Sequence, residues 1–127
     1  MPEHWNDNLP IYRQIRDRVA RLIMDGSFKE GEAIPSVRAV ASESQVNHLT
    51  VGKAYQELVD EGVLEMKRGL GMFVLDGARN TLLKQERDVF IQSELPAFLT
   101  RVDGLGFSTK DIIELIKTTN SATGEQQ

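Results

Sequence analysis

The chain has 127 residues, 40% of them hydrophobic and 27% charged, which fits one ordinary globular domain or a small domain with an appended helical piece. The absence of cysteine excludes disulfides, thiolate zinc sites and cysteine nucleophiles. The net charge of −4 argues weakly against a nucleic-acid partner.

Signals for metal binding, membrane insertion and secretion are missing from the sequence. The two histidines, His4 and His48, are too far apart to pair on one helical face, which excludes a local histidine metal motif. No apolar run approaches the roughly 20 residues that a membrane span needs. The N-terminus has neither the basic start nor the apolar stretch of a signal peptide. We therefore expect a cytoplasmic protein with no metal, no cofactor and no membrane partner.

Three helices are predicted in the first half of the chain. The first covers residues 10–25, and a second, capped by Ser36, covers roughly 36–43. The third is capped by Asn47 and runs to Gly62, with the strongest apolar periodicity of the chain. Its inward face carries Val51, Ala54, Tyr55, Leu58 and Val59.

Two short strand-like runs follow the third helix. They cover residues 63–66 and 72–75, and the turn between them, 67–71, begins with two basic residues and contains two glycines. Three helices followed by such a hairpin describe a winged helix-turn-helix, which we place at residues 1–78.

The segment 79–118 is predicted to be helical again. Its first helix covers 80–95 and meets Pro96, which should bend or end it. Residues 108–111 resemble a capping box at the start of a last short helix. The tail 119–127 has nothing to bury and is predicted to be disordered. The fold class is therefore mainly α with a small β-hairpin wing, an N-terminal winged helix-turn-helix plus a short C-terminal helical segment.

The outward face of the third helix answers the objection from net charge. Residues 1–78 carry nine basic and twelve acidic side chains, so an anion-binding surface depends on where the charges lie. The acids Glu57, Asp60 and Glu61 lie at the far end of the helix, and its front presents donors, one cation and one apolar group. Such a front suits a DNA major groove. It consists of Asn47, His48, Leu49, Thr50, Gly52, Lys53 and Gln56.

Residues 9–75 resemble the DNA-binding domain of the GntR family of bacterial transcription regulators. The matching pieces are PIYRQI, PSVRAVA, TVGKAYQELVDEGVLE and RGLGMFV, with order and spacing intact. The C-terminal segment, with its FIQSELPAFL and GFSTKDIIELI runs, is similar to that of the YtrA subfamily, whose members lack large effector domains. The resemblance implies a partner of double-stranded DNA and dimerisation through the C-terminal segment.

The resemblance implies DNA contacts from three elements. Arg38, at the start of the second helix, would bond a phosphate or reach a guanine edge, the alternative being a solvated arginine. Thr50 would bond a phosphate or a base, and Lys53 a phosphate. Arg68 and Gly69 match the wing tip, where arginine enters the minor groove and glycine allows close approach, the alternative being a simple hairpin turn.

Four positions of the third helix carry open alternatives. His48 and Gly52 stand where many relatives have arginines that read guanine, and His48 is a base reader, a phosphate contact or merely exposed. Leu49 would meet thymine methyl groups. Gly52 costs about 1 kcal/mol of helix propensity, which close approach of DNA would offset. Tyr55 often binds phosphate in the family, but its place in the apolar stripe makes core packing an equal alternative.

The leading hypothesis is a repressor that binds an inverted-repeat operator as a homodimer, since a two-fold dimer imposes two-fold symmetry on its DNA. The resemblance further implies control of a neighbouring operon, commonly one encoding an ABC transporter. Apolar residues of the C-terminal segment are expected at the dimer contact: Leu83, Phe90, Ile91, Phe98, Ile112 and Ile116.

Two other hypotheses stay open at this point. One is a protein-interaction module that has kept the winged scaffold without its DNA contacts. The other is a sensor with a small-molecule effector, of unknown identity, at a dimer interface. An enzyme is not expected, because the only dinucleotide-like glycine pattern, Gly69 and Gly71, is followed by a strand instead of a helix.

Overall fold

A computed structural model of the protein describes Trp5 and residues 8–123, so His4 lies outside the described residues. The described part is mostly helical, with a two-stranded antiparallel sheet, which confirms the predicted fold class. None of its helices is long and apolar enough to cross a membrane. In chain order the elements are α1 (Ile11–Met24), α2 (Val37–Ser44), α3 (His48–Asp60), β1 (Leu64–Lys67), β2 (Gly71–Val74), α4 (Ala78–Val89), a π-helical segment (Phe90–Glu94), α5 (Leu95–Gly104) and α6 (Thr109–Thr123).

The chain divides into two compact units, Met1–Gln85 and Glu86–Gln127. The division falls inside α4, whereas the sequence placed the end of the winged domain at residue 78. The first turns of α4 pack with the first unit because Ala78 and Leu82, one helical turn apart, are both buried in its core. The first unit therefore contains the winged domain and the base of α4.

The core of the first unit is built around α3. Four of its predicted inward side chains, Val51, Ala54, Tyr55 and Leu58, are fully buried, and the fifth, Val59, is partly buried against the same core. Both α1 and α2 pack against this helix. Both predicted caps are present. The Ser36 hydroxyl oxygen accepts a hydrogen bond from the Ala39 N–H at 3.0 Å, and the Asn47 side-chain oxygen accepts one from the Leu49 N–H at 2.8 Å.

The turn between α2 and α3 depends on one residue with a left-handed backbone. Gln45 ends α2 with φ 56°, and the next N–H, of Val46, donates to the Ala41 carbonyl at 3.0 Å. This geometry closes the last turn of α2 and redirects the chain into α3. It positions the start of α3 on the surface.

The wing is a short hairpin joined to the loop after α1. Its register pairs Leu64 with Val74 and Lys67 with Gly71. The loop pairs with β2, because Ala33 forms a β-bridge with Phe73 and the Ile34 N–H donates to the Met72 carbonyl at 2.9 Å. The wing is thereby fixed to the body of the first unit by backbone hydrogen bonds.

The second unit remains helical through Pro96. The sequence predicted a bend or an end there. The structure ends the regular α-helix at Val89 and has a π-helical segment, Phe90–Glu94, shortly before the proline, with the Leu95 N–H donating to the Phe90 carbonyl. The wider turn accommodates a residue that has no N–H to donate and whose ring displaces the preceding carbonyl.

The last helix starts at the predicted capping box. The N–H of Ser108 donates to the Asp111 carboxylate at 3.0 Å, and the N–H of Asp111 donates to the Ser108 hydroxyl at 3.1 Å. The hydrogen bond from the Ser108 N–H, together with the Ser108 side chain, lowers the pKa of Asp111. The helix continues through Thr123, so residues 119–123 are helical where the sequence predicted a disordered tail, and 124–127 lie outside the described residues.

Candidate nucleic-acid interface

The front of α3 is exposed as the sequence predicted. Asn47, His48 and Lys53 are exposed, and Leu49 is 71% exposed, while Thr50 and Gly52 are half-buried. Asn47 has already committed its side-chain oxygen to the helix cap, which leaves its amide N–H groups as donors. A Cβ placed on Gly52 would meet no atom within 4 Å, so the protein itself does not need glycine there.

The acids at the far end of α3 are held by arginines of α1 and by a glutamine of α3. The Arg13 guanidinium forms an ion pair with Glu57, and that of Arg16 forms one with Glu61. Asp60 accepts a hydrogen bond from Gln56 at 2.9 Å. The charges of Glu57 and Glu61 are therefore compensated within the first unit.

Arg16 takes part in this compensation while almost buried. It is 8% exposed, and its Nε lies 3.8 Å from the Glu57 carboxylate. Burial by itself would lower the pKa of Arg16, but hydrogen bonds and charge from Glu61 and Asp17 outweigh it and raise that pKa. Arg16 is thus a permanent cation at the C-terminal end of α3.

Lys53 is oriented by an aromatic ring that the sequence did not single out. Its Nζ lies 4.0 Å from the centroid of the Tyr12 ring on α1, in the geometry of a cation–π contact. Tyr12 belongs to the PIYRQI run, but its position in α1 gives no sign of a contact with α3 before the two helices are packed together. The contact restricts Lys53 on the exposed side of α3.

Tyr55 is a core residue in this structure. It is 1% exposed, and its hydroxyl donates to the Pro35 carbonyl at 2.7 Å. Burial raises the pKa of Tyr55 to about 12, because the phenolate would have to be desolvated. Of the two roles that the sequence left open, this geometry favours packing, with the hydroxyl tying α3 to the residues before α2.

Arg38 and the wing tip also lie on the surface. Arg38 is exposed in the first turn of α2, and Arg68 and Gly69 are exposed in the hairpin turn. The Leu70 N–H donates to the Lys67 carbonyl at 2.8 Å, and Gly69 has φ 78°, a conformation that favours glycine. The turn therefore gives Arg68 a defined place at the end of the wing.

The residues expected at a dimer contact differ in their exposure to solvent. Phe90, Ile91, Phe98 and Ile116 are about half exposed, whereas Leu83 and Ile112 are only partly so. Leu83 falls in the first unit. An open apolar groove of about 280 Å³ lies in the second unit and is lined by Phe98, Ile112, Leu115, Ile116, Thr119 and Asn120. The sequence did not single out two further exposed apolar side chains of this unit, Leu105 and Phe107.

No cluster of metal-ligating side chains occurs in the part of the chain that the structure describes. The front of α3, Arg38 and the wing tip expose polar and cationic groups on the first unit, and exposed apolar side chains are more numerous on the second.

Comparisons with known proteins agree with this geometry. Residues 11–74 match the family model of bacterial regulatory proteins of the gntR family. The HTH-type transcriptional repressor YtrA of Bacillus subtilis is 34% identical over 108 residues, which cover 85% of this chain and 82% of that protein. A crystal structure of a GntR-family transcriptional regulator from Bacteroides thetaiotaomicron has a TM-score of 0.76 at 32% identity, over 90% of this chain and 99% of that one. The DNA-binding domain of AraR, solved in complex with an operator, has a TM-score of 0.52 at 27% identity, over 58% of this chain and 90% of that one.

Proposed function

Because the chain belongs to the GntR family of bacterial DNA-binding transcription regulators and is not an enzyme, we propose that it is a repressor that binds an inverted-repeat operator as a homodimer. The observation that carries the proposal is the exposed, acid-free front of α3, together with Arg38 on α2 and Arg68 on the wing. A solved complex of the AraR DNA-binding domain with an operator supports the mode of binding.

In this proposal the first turns of α3 enter the major groove. Leu49 meets thymine methyl groups, His48 lies beside a base or a phosphate, and Thr50 and Lys53 contact the backbone. Arg38 bonds a phosphate or a guanine edge. The wing tip, with Arg68 and Gly69, lies over the minor groove.

Charge compensation makes this approach possible for a chain with a net charge of −4. Glu57 and Glu61 are paired with Arg13 and Arg16, so the C-terminal half of α3 adds little repulsion toward phosphates. Binding then depends on a few local cations, and we expect a modest salt dependence compared with strongly basic DNA-binding proteins.

The homodimer is supported by the second unit. Phe90, Ile91 and Phe98 are aromatic and aliphatic side chains that are about half exposed, and exposed apolar surface of this kind marks an interaction site. A second copy would bury them through the same patch on each subunit, and the two winged domains would then read related half-sites.

The proposal also includes a biological role as a repressor of a neighbouring operon. Repression is supported by the name of the Bacillus subtilis relative, a transcriptional repressor that aligns with most of this chain. We extend it to control of a neighbouring operon, commonly one for an ABC transporter, and to action in the cytoplasm, where the DNA lies. We propose the apolar groove of the second unit as the site for a small-molecule effector.

The direct test is a fluorescence-anisotropy titration of the whole chain against duplexes that tile its own upstream region. We expect saturable binding to one segment that weakens as salt rises. Arg38→Glu and Lys53→Glu should each weaken it at least tenfold, about 1.4 kcal/mol, with unchanged circular dichroism. The matched control Lys29→Glu reverses an exposed charge on the same unit and should bind as the native protein does.

Two results would contradict the proposal. The first is the absence of saturable, salt-sensitive binding anywhere in the region, which would favour the winged scaffold as a protein-interaction module. The second is equal loss in all three variants, which would mean that only general charge is sensed.

A further inference from the structure

The base of α4 is fixed to the first unit by more contacts than a linker requires. At its start, the two carboxylate oxygens of Glu30 accept hydrogen bonds from the N–H of Gly77 at 2.9 Å and of Arg79 at 3.1 Å. These bonds lower the pKa of Glu30, so the carboxylate is charged at neutral pH. The Arg79 side chain in turn donates to the Met24 carbonyl at 2.9 Å. The start of α4 is thus held to the end of α1 and the loop after it.

A second attachment joins α4 to α3. The Gln85 side-chain oxygen accepts from Arg16 at 2.7 Å, and the Gln85 amide donates to the Glu61 carboxylate at 3.1 Å. Arg16 also forms an ion pair with Glu61, which follows directly after the last residue of α3. Three elements therefore meet in one closed set of polar contacts around a nearly buried guanidinium.

Buried apolar side chains lie between the two attachments. Ala78 and Leu82 are 0% and 1% exposed, and Gln85 follows at the spacing that keeps all three on one face of α4. Each turn of the helix up to the end of the first unit is consequently held by at least one contact. A flexible tether would need none of them.

We infer that Glu30 and Gln85 are positioning residues that fix the direction of α4 relative to α3 and so restrict the separation of half-sites that the operator may have. The inference rests on the proposed homodimer, because only a protein with two DNA-binding domains is sensitive to the distance between two half-sites. One additional base pair moves a half-site by about 3.4 Å and rotates it by about 34° around the duplex. If the base of α4 is rigid, the protein cannot adjust to the altered separation and its affinity for the duplex falls. If the attachment is loosened, the protein can adjust and keeps more of its affinity.

The experiment uses the whole chain and duplexes selected by the native protein from a random library. Affinity is measured for the selected separation, for separations changed by one base pair, and for a duplex with a single half-site. We expect the native protein to lose at least about tenfold on a one-base-pair change. Glu30→Ala/Gln85→Ala should lose less than about threefold, with unchanged affinity for the single half-site.

Matched controls come from neighbouring exposed acids. Glu32→Ala alters the same loop as Glu30, and Glu86→Ala alters the residue after Gln85, so both should keep the native penalty. Single variants at Glu30 and Gln85 serve if the double variant fails to fold, since each should lower the penalty in part. A general loss of stability would weaken binding to the single half-site as well, which separates it from a positioning effect.

Two results overturn the inference and leave the proposed function standing. They are an equal separation penalty in the native protein and the double variant, and no penalty in the native protein. Selection of duplexes with one half-site only, by a protein that sediments as a monomer, would overturn the proposed homodimer and this inference with it.

Discussion

The two units differ in how much of their apolar surface is buried. In the first unit most of the large apolar side chains of α1, α3 and the hairpin close into one core, with Ile15, Leu58 and Val74 almost fully buried. In the described part of the second unit only Val102 is buried, while ten large apolar side chains are exposed. The first unit therefore has a core that is closed without a partner, which leaves its surface available to DNA, whereas the second unit still has apolar surface to bury.

The largest effect is expected from a cavity in the closed core of the first unit. Leu58→Ala removes a fully buried side chain of α3, and we expect the free energy of unfolding to fall by about 2–5 kcal/mol. Leu99→Ala makes the same change on the half-exposed surface of α5 and should cost well under half as much at low protein concentration. Urea unfolding followed by circular dichroism measures both. Equal losses would mean that the second unit has a closed core of its own.

The second test charges the apolar surface of the second unit. Phe98→Glu places a carboxylate on the proposed dimer contact, and we expect the dimer dissociation constant to rise at least about 100-fold, or about 2.7 kcal/mol. Sedimentation equilibrium measures the shift. Thr100→Glu adds the same charge at an exposed polar position of α5 and is the control.

Two outcomes decide the second test. A dimer that withstands Phe98→Glu would place the contact on another face. A variant that unfolds its second unit at low concentration would show instead that Phe98 supports the fold of that unit, and helical circular dichroism separates the two.

The third test measures how strongly the core of the first unit disfavours the ionised form of a buried hydroxyl group, that of Tyr55. The pKa of Tyr55 is raised to about 12 by burial, while an unfolded tyrosine ionises near 10. Because the folded pKa is the higher one, the stabilisation is fully present below pH 10 and is lost as the pH rises from about 10 to 12. The loss should be on the order of 2 kcal/mol.

Tyr55→Phe removes this titration and flattens the alkaline fall of stability, measured by urea unfolding between pH 8 and pH 12. At neutral pH the same variant should cost about 1 kcal/mol, because the Pro35 carbonyl loses its donor. Tyr12→Phe changes the other tyrosine and should keep the native slope. An equally steep fall in Tyr55→Phe would mean that other groups cause the alkaline loss.

The sequence predicted those parts of the fold in which local signals agree with packing. The inward stripe of α3, the caps at Ser36 and Asn47 and the hairpin all follow from residue spacing, and each is present. Gln45 gave no such signal, because its left-handed backbone is imposed by the packing of α2 on α3 and glutamine is not a residue typical of that conformation. Leu82 was not singled out over Leu83 as the buried residue, since adjacent leucines give no unique face before the helix is docked.

The candidate site was predictable to the extent that it depends on one helix. The exposed front of α3 follows from its stripe, but Tyr12 beside Lys53 and the group formed by Arg16, Glu61 and Gln85 depend on contacts between residues far apart in sequence. No periodicity contains that information. Tyr55 illustrates the same limit, because spacing placed it inward and only the packed structure gave its hydroxyl a partner at Pro35.

The smallest effect is expected from one added methyl group at Gly52, which should change stability and operator affinity in opposite directions. A Cβ at Gly52 meets no atom within 4 Å, so Gly52→Ala should stabilise the first unit by up to about 1 kcal/mol through helix propensity. If DNA approaches closely at this point, the same methyl group lies where the duplex must come, and operator affinity should fall severalfold while thermal stability rises. Gly104→Ala adds a methyl group to open space at the end of α5 in the second unit and should leave operator affinity unchanged. A Gly52→Ala variant that is more stable and binds as tightly as the native protein would remove DNA approach as the reason for glycine, because the folded chain has no steric need for it.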